Sequence, residues 1–154
     1  MRLLYEENLN GVSESTFALP APVNLVKVFV SGDLAVQGSD KRLLINVNGI
    51  QNKYKGFVVM NGDADATEFE ESGFYIGRSG WNGDAELTAE VTICSKALSN
   101  KIISSGLSTF TAPQNRILGY QCNSFVAGVG PIRNITLDVN GGVFSGKVEI
   151  FDIG

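Results

Sequence analysis

The clearest pattern in the chain is an alternation of apolar and polar residues with a period of two, which predicts β-strands. Between residues 86 and 94, leucine, alanine, valine and isoleucine occupy every second position, and threonine, glutamate and cysteine stand between them. The same criteria indicate strands at 24–30, 42–48, 55–60, 73–78, 101–111, 116–122, 131–139 and 145–153. The pattern therefore predicts about eight or nine strands.

Turn signals separate these strands, and no helical periodicity lies between them. Asn48-Gly49, Asn61-Gly62 and Asn140-Gly141 are pairs that favour the tight turns of hairpins. Strands that follow one another without intervening helices are typical of an antiparallel sandwich of two sheets, not of a βαβ succession. We therefore expect an all-β protein with a two-sheet antiparallel sandwich of jelly-roll type.

Residues 1–22 differ from the rest of the chain, because their apolar residues are scattered and Pro20 and Pro22 stiffen the end of the segment. We expect an extended N-terminal arm at 1–22, followed by the sandwich domain at 23–154. The arm either covers an open edge of its own sandwich or reaches a neighbouring subunit or larger surface. Its candidate contact residues are Leu3, Leu4, Tyr5, Leu9, Phe17 and Leu19.

The composition of the chain limits the kinds of partner that it can bind. The chain has 154 residues, with 44% hydrophobic and 18% charged, which suits one packed domain. Its net charge of -4 argues against binding to a nucleic-acid backbone, which requires an excess of Lys and Arg. The first ten residues do not resemble a secretory signal, and no apolar run reaches the length of a membrane span. We therefore expect synthesis in the cytoplasm and no membrane partner.

The chain contains no histidine, which removes the common Ser/His and Cys/His nucleophiles and His-liganded zinc. Between residues 63 and 90 there are eight acidic residues and one basic residue, Arg78. Carboxylate oxygens are ligands of Ca²⁺, so this stretch is a candidate calcium site. An EF-hand loop that starts at Asn61 fails, because its sixth position is Ala66 instead of Gly and its twelfth is Ser72 instead of Glu. We expect a solvated acidic loop that keeps an edge soluble, no metal, no cofactor and no catalytic site.

A group of aromatic and polar residues at 75–84 is a candidate glycan site. Tyr75 and Trp81 lie near Asn82 and Asp84, which is a combination that can stack on a sugar ring and hydrogen-bond its hydroxyl groups. The simpler interpretation places the aromatic rings in the core or at a subunit contact.

The two cysteines, Cys94 and Cys122, are expected to be reduced, since a free cysteine packs as a small apolar residue.

Two parts of the chain resemble the small jelly-roll proteins that decorate the capsids of tailed bacteriophages. One is the aromatic strand at 73–78, which runs into Trp81. The other is the closing unit, with GPIRNI at 130–135, NGGVF at 140–144 and GKVEIF at 146–151.

The resemblance implies a cement protein that assembles as a homotrimer on the exterior of the virion. Its partner would be the phage major capsid protein, and its role would be to stabilise the shell without catalysis. Related sandwiches occur in phage tails and fibres, so a carbohydrate-binding module or an adaptor of a tail or fibre is the alternative.

Overall fold

The computed structural model describes residues 1–51, 53–61, 65–95 and 100–154, and this part of the chain contains strands and no helix. The twelve strands are β1 (Arg2–Val12), β2 (Glu14–Val23), β3 (Leu25–Ala35), β4 (Arg42–Val47), β5 (Tyr54–Met60), β6 (Thr67–Glu71), β7 (Phe74–Arg78), β8 (Ala85–Ser95), β9 (Lys101–Ala112), β10 (Arg116–Ala127), β11 (Ile132–Asp138) and β12 (Val143–Asp152).

The strands form two antiparallel sheets with the orders β1-β12-β3-β8-β9-β10-β5-β6 and β2-β11-β4-β7. Within this arrangement, β1-β12-β3-β8 and β2-β11-β4-β7 are two groups of four. Along the chain these eight strands follow one another as β1, β2, β3, β4, β7, β8, β11 and β12. Each strand lies in the other sheet from the strand before it, except that β4 and β7 both lie in the smaller sheet. This is the strand order of a jelly roll. The predicted all-β, two-sheet jelly-roll sandwich is therefore confirmed.

Four strands are added to the eight of the jelly roll. The hairpin β5-β6 is inserted between β4 and β7, and the hairpin β9-β10 is inserted between β8 and β11. Because β10 also pairs with β5, the two insertions join and widen one sheet to eight strands. Phe110 and Tyr120 of the inserted hairpin pack inward against Gly77 of β7. The added strands thus extend the core as well as the sheet.

The predicted arm of residues 1–22 is part of the sandwich. Strand β1 pairs with β12 at one edge of the larger sheet, and β2 pairs with β11 at one edge of the smaller sheet. The segment therefore covers the open edges of its own sandwich, which is the first of the two alternatives. Pro20 and Pro22 are tolerated because β2 is an edge strand, where one side of the backbone needs no ladder hydrogen bond.

All nine predicted strands are present, and the expected total of eight or nine is too low by the three strands β1, β2 and β6. Strand β6 lies within the acidic stretch that was predicted as a loop. It is the outermost strand of the larger sheet, and Glu68 and Glu70 are exposed on it. These charges protect a sheet edge from pairing with other chains. Gly62 of the predicted Asn61-Gly62 turn, and Asp63 and Ala64 of the predicted acidic loop, lie outside the described residues.

The two cysteines are free thiols on opposite sides of the larger sheet. The Cys122 side chain points into the core, where its Sγ lies 3.0 Å from the carbonyl oxygen of Ile76. Burial raises the pKa of Cys122 to about 12, although a hydrogen bond with Ser108 opposes the shift. Cys94 lies on the outward side and is partly exposed.

We expect Cys122 to resist alkylation in the folded protein. A thiol with a pKa near 12 carries almost no thiolate at pH 8, and thiolate is the reactive form. Iodoacetamide labelling at pH 8, read by peptide mass spectrometry, should leave Cys122 unmodified in buffer and modify it in urea. Equal labelling of Cys122 in both conditions would contradict its position in the core.

Candidate functional site

Large apolar side chains are exposed on the outward side of the extended sheet. We call the outward side of β8, β9, β10 and β5 the open face. Its exposed apolar residues are Phe57, Ile103, Leu107, Ile117 and Phe125, with exposed fractions from 38% to 63%. Each alternates along its strand with residues that point into the core. The strands thus place one apolar set inside the sandwich and a second set in solvent.

The open face carries little charge at its centre. In β9 and β10, both of which are described in full, the only charged residue among the outward positions is Lys101, at the start of β9. The other outward positions carry Ser, Thr, Asn, Gln, Gly, Ala and the apolar residues. Exposed sheet faces are usually polar and charged. A central region of this composition is typical of the core of a protein interface, where charged residues are depleted.

A groove of about 470 Å³ crosses the open face. Its floor is a row of small polar residues in which Thr92 pairs with Ser105 and Ser105 pairs with Asn123. The neighbouring row contains Ile103 paired with Phe125 and forms one wall. A second hollow of about 280 Å³ shares the same three floor residues and extends toward Lys27. The surface therefore has ridges and a depression.

One polar atom in the floor lacks a partner. Oδ1 of Asn123 is buried and accepts no hydrogen bond, and Oγ of the adjacent Ser124 is also buried without a partner. Buried polar groups are hydrogen-bonded in nearly all proteins, so each exception needs an explanation. Because the Asn123 oxygen has no exposed surface, a donor in the groove reaches it only if the side chain turns outward.

Ion pairs border the open face on both sides. Nζ of Lys27 lies 3.5 Å from a carboxylate oxygen of Glu90, and Nζ of Lys55 lies 3.8 Å from a carboxylate oxygen of Glu70. These side chains stand on β3, β8, β5 and β6, beside the apolar centre. A centre depleted of charge with a polar rim is typical of protein interfaces.

The candidate contact residues of the N-terminal segment are mostly part of the core. Leu9 and Phe17 are buried, and Leu4, Tyr5 and Leu19 are partly buried against the core. Leu3 is the member of the predicted set that stays largely exposed, at 48%. The same burial that joins β1 and β2 to the sandwich thus removes most of this set from contact with a partner.

Trp81 stands on a rigid turn at one end of the sandwich. The amide of Gly83 donates to the carbonyl of Gly80, and Trp81 and Asn82 both have positive φ, so the turn is of type I′. A bulky residue is rare in this conformation, which costs about 1–2 kcal/mol. The ring is 53% exposed, and the Arg116 guanidinium stacks on it at 4.9 Å from the ring centroid.

The four residues predicted to contact a glycan do not form one site. Tyr75 is buried beside the rings of Phe69 and Tyr120, and burial raises its pKa to about 12. The side chains of Asn82 and Asp84 fix loops, because Asn82 exchanges hydrogen bonds with Asp40 and Asp84 accepts from the amide of Val36. Trp81 is therefore the one member of this set that offers an exposed apolar surface.

The exposed apolar residues of the open face were not among the candidate site residues predicted from the sequence. The signal was present in β9 and β10, where large apolar residues occur on both phases of the alternation: Ile102 and Ile103 are adjacent, as are Phe125 and Val126. One member of each pair is buried and the other is exposed. Apolar residues on both phases are typical of strands that are buried on both faces, whereas the outward face of β9 and β10 is exposed in this structure.

The comparisons with known proteins found no relative. The chain matches no family model, no curated protein and no solved structure. Within the described part of the chain, no helix has the length and hydropathy needed to cross a membrane. Among the same residues, no group of three or more His, Cys, Asp or Glu could hold a metal ion.

Proposed function

We propose that this protein is a structural virion protein, a decoration protein that binds the outer surface of a phage capsid lattice and stabilises the shell. The observation that carries the proposal is the open face, whose nearly uncharged centre combines exposed apolar side chains with small polar ones and is suited to covering by protein. A protein with such a surface acts by association. The phage assignment is supported by the resemblance at residues 73–81 and 128–154.

The jelly roll suits this role for a physical reason. Both sheets bury one side in a single core, and the outer strand β6 carries exposed Glu68 and Glu70, so the chain has its own core and a charged edge that resists pairing. The remaining surface is then free to bind. Many copies on a repeating lattice give strong overall attachment, even where each contact is modest. In this proposal the protein assembles as a homotrimer, and its partner is the major capsid protein.

Co-sedimentation with emptied capsids of the phage that encodes the chain tests the proposal. We expect saturable binding with a fixed number of copies per capsid, and bound capsids should withstand higher temperature before they open. Capsids of an unrelated phage serve as the control. Absence of binding to the matching capsids, with the folded protein in excess, would rule out the decoration role.

The alternative is a carbohydrate-binding module or adaptor of a phage tail or fibre. The specific observation in its favour is the exposed, stacked ring of Trp81 on its rigid turn. A glycan array separates the two functions. Binding of the intact protein to defined glycans, lost in Trp81→Ala without unfolding, would assign the alternative, whereas an array without binding would remove it.

A further inference from the structure

We infer that the open face is the surface through which copies of this chain bind one another. The inference rests on the proposed function and names the first partner of the same surface. Leu107 lies at the middle of β9, and Ile103, Phe57 and Phe125 lie beside the groove.

The dimensions of the open face suit a stable interface. Strands β9 and β10 have twelve residues each, so they are about 40 Å long at about 3.3 Å per residue. Four strands at a spacing of about 4.8 Å span about 19 Å. The face therefore offers roughly 700 Å², which is close to the roughly 800 Å² that each partner contributes to a standard stable interface.

A second copy of the chain covers the apolar side chains that would otherwise make the free chain aggregate. Five large apolar side chains exposed on one side of a sheet promote aggregation if they remain uncovered before capsids are available. Another copy of the chain is present at the same concentration from the moment of synthesis. Self-association therefore covers the face in the free protein.

The shape of the open face is suited to a copy of itself. The wall that contains Ile103 and Phe125 projects beside the groove, whose floor is Thr92, Ser105 and Asn123. A ridge of one copy can therefore enter the groove of another. Hydroxyl and amide groups are abundant on the face, so polar groups of the two copies can hydrogen-bond across the contact.

Replacement of Leu107 by lysine tests the interface. Leu107 is 57% exposed and stands opposite Glu90 on β8, so a lysine keeps the fold of each copy and gains a favourable neighbour. In the interface, however, its ammonium group would be buried without water. By analytical ultracentrifugation we expect the intact protein near three times the 16.5 kDa chain mass, and Leu107→Lys near 16.5 kDa.

Val129→Lys is the matched control, because Val129 is 71% exposed and lies in the loop after β10, outside the open face. It should keep the mass of the intact protein, whereas Ile103→Lys should behave as Leu107→Lys. An intact protein that sediments as a monomer, or two lysine variants on the open face that keep the mass of the intact protein, would overturn the interface.

Particle binding is a separate readout. An oligomer that does not bind capsids contradicts the proposed function and leaves the interface in place. A monomer that binds capsids contradicts the interface and leaves the proposed function in place.

Discussion

Replacing Phe17 by alanine should lower the free energy of unfolding by about 3–5 kcal/mol. Phe17 is fully buried in β2, its ring lies 5.1 Å from that of Tyr5, and its backbone pairs with Ile135. The alanine leaves a cavity between the N-terminal strands and the rest of the core. Urea denaturation followed by circular dichroism measures the loss.

Leu3→Ala is the control from the same segment. Leu3 is 48% exposed, so its replacement should change the free energy of unfolding by less than about 1 kcal/mol. If Phe17→Ala costs as little as Leu3→Ala, residues 1–22 are an arm outside the cooperative unit, and the sandwich begins at β3. The structure instead makes β1 and β2 part of the fold.

Replacing Gly32 by alanine should destabilise the protein by at least about 3 kcal/mol or prevent folding. Gly32 of β3 faces Gly146 of β12, and the two strands approach closely at this pair. A Cβ on Gly32 would lie 2.2 Å from the carbonyl oxygen of Ser145 and 2.6 Å from Cα of Gly146. Both contacts are with backbone, so the strands themselves would have to separate.

Gly119→Ala provides the comparison for Gly32. Gly119 is also a strand glycine, but the nearest atom to its added Cβ is Oδ1 of Asn61, at 3.8 Å. This substitution should be tolerated within about 1 kcal/mol, since it makes an ordinary contact and restricts the unfolded chain. Thermal unfolding compares the melting temperatures of the two variants with that of the unmodified chain. A Gly32→Ala protein with the melting temperature of the unmodified chain would contradict the close approach of β3 and β12.

Much of the fold follows from local patterns in the sequence. The alternation at 86–94 predicts β8, which the structure extends by one residue at each end. The Asn48-Gly49 and Asn140-Gly141 pairs form turns, with both residues of each pair at positive φ, although each turn joins strands of different sheets and not the two strands of a hairpin. These predictions succeed because period-two burial and left-handed turn residues depend on nearby residues alone.

The three missed strands depend on residues far away in the chain. Strand β1 is set by its pairing with β12, and β2 by its pairing with β11, more than 100 positions later. Prolines in β2 and glutamates in β6 suggest loops when they are considered locally. Both are compatible with strands at a sheet edge, and only the assembled sheet shows that these strands lie there.

The candidate sites were harder to predict for a related reason. Tyr75 and Trp81 are six positions apart, yet the ring of one is buried and that of the other is exposed. The difference arises because β5, β6 and β10 cover β7, and those strands come from two separate insertions. The open face has the same origin, since β9, β10 and β5 become neighbours only when the insertions pair.

The mass of the intact protein in solution tests most directly whether it acts through association of the open face. Light scattering after size exclusion, repeated over a wide concentration range, is sufficient. We expect a discrete oligomer near three times 16.5 kDa that persists on dilution. A species of 16.5 kDa at every concentration would show that the open face remains uncovered in the free protein, and would contradict the account.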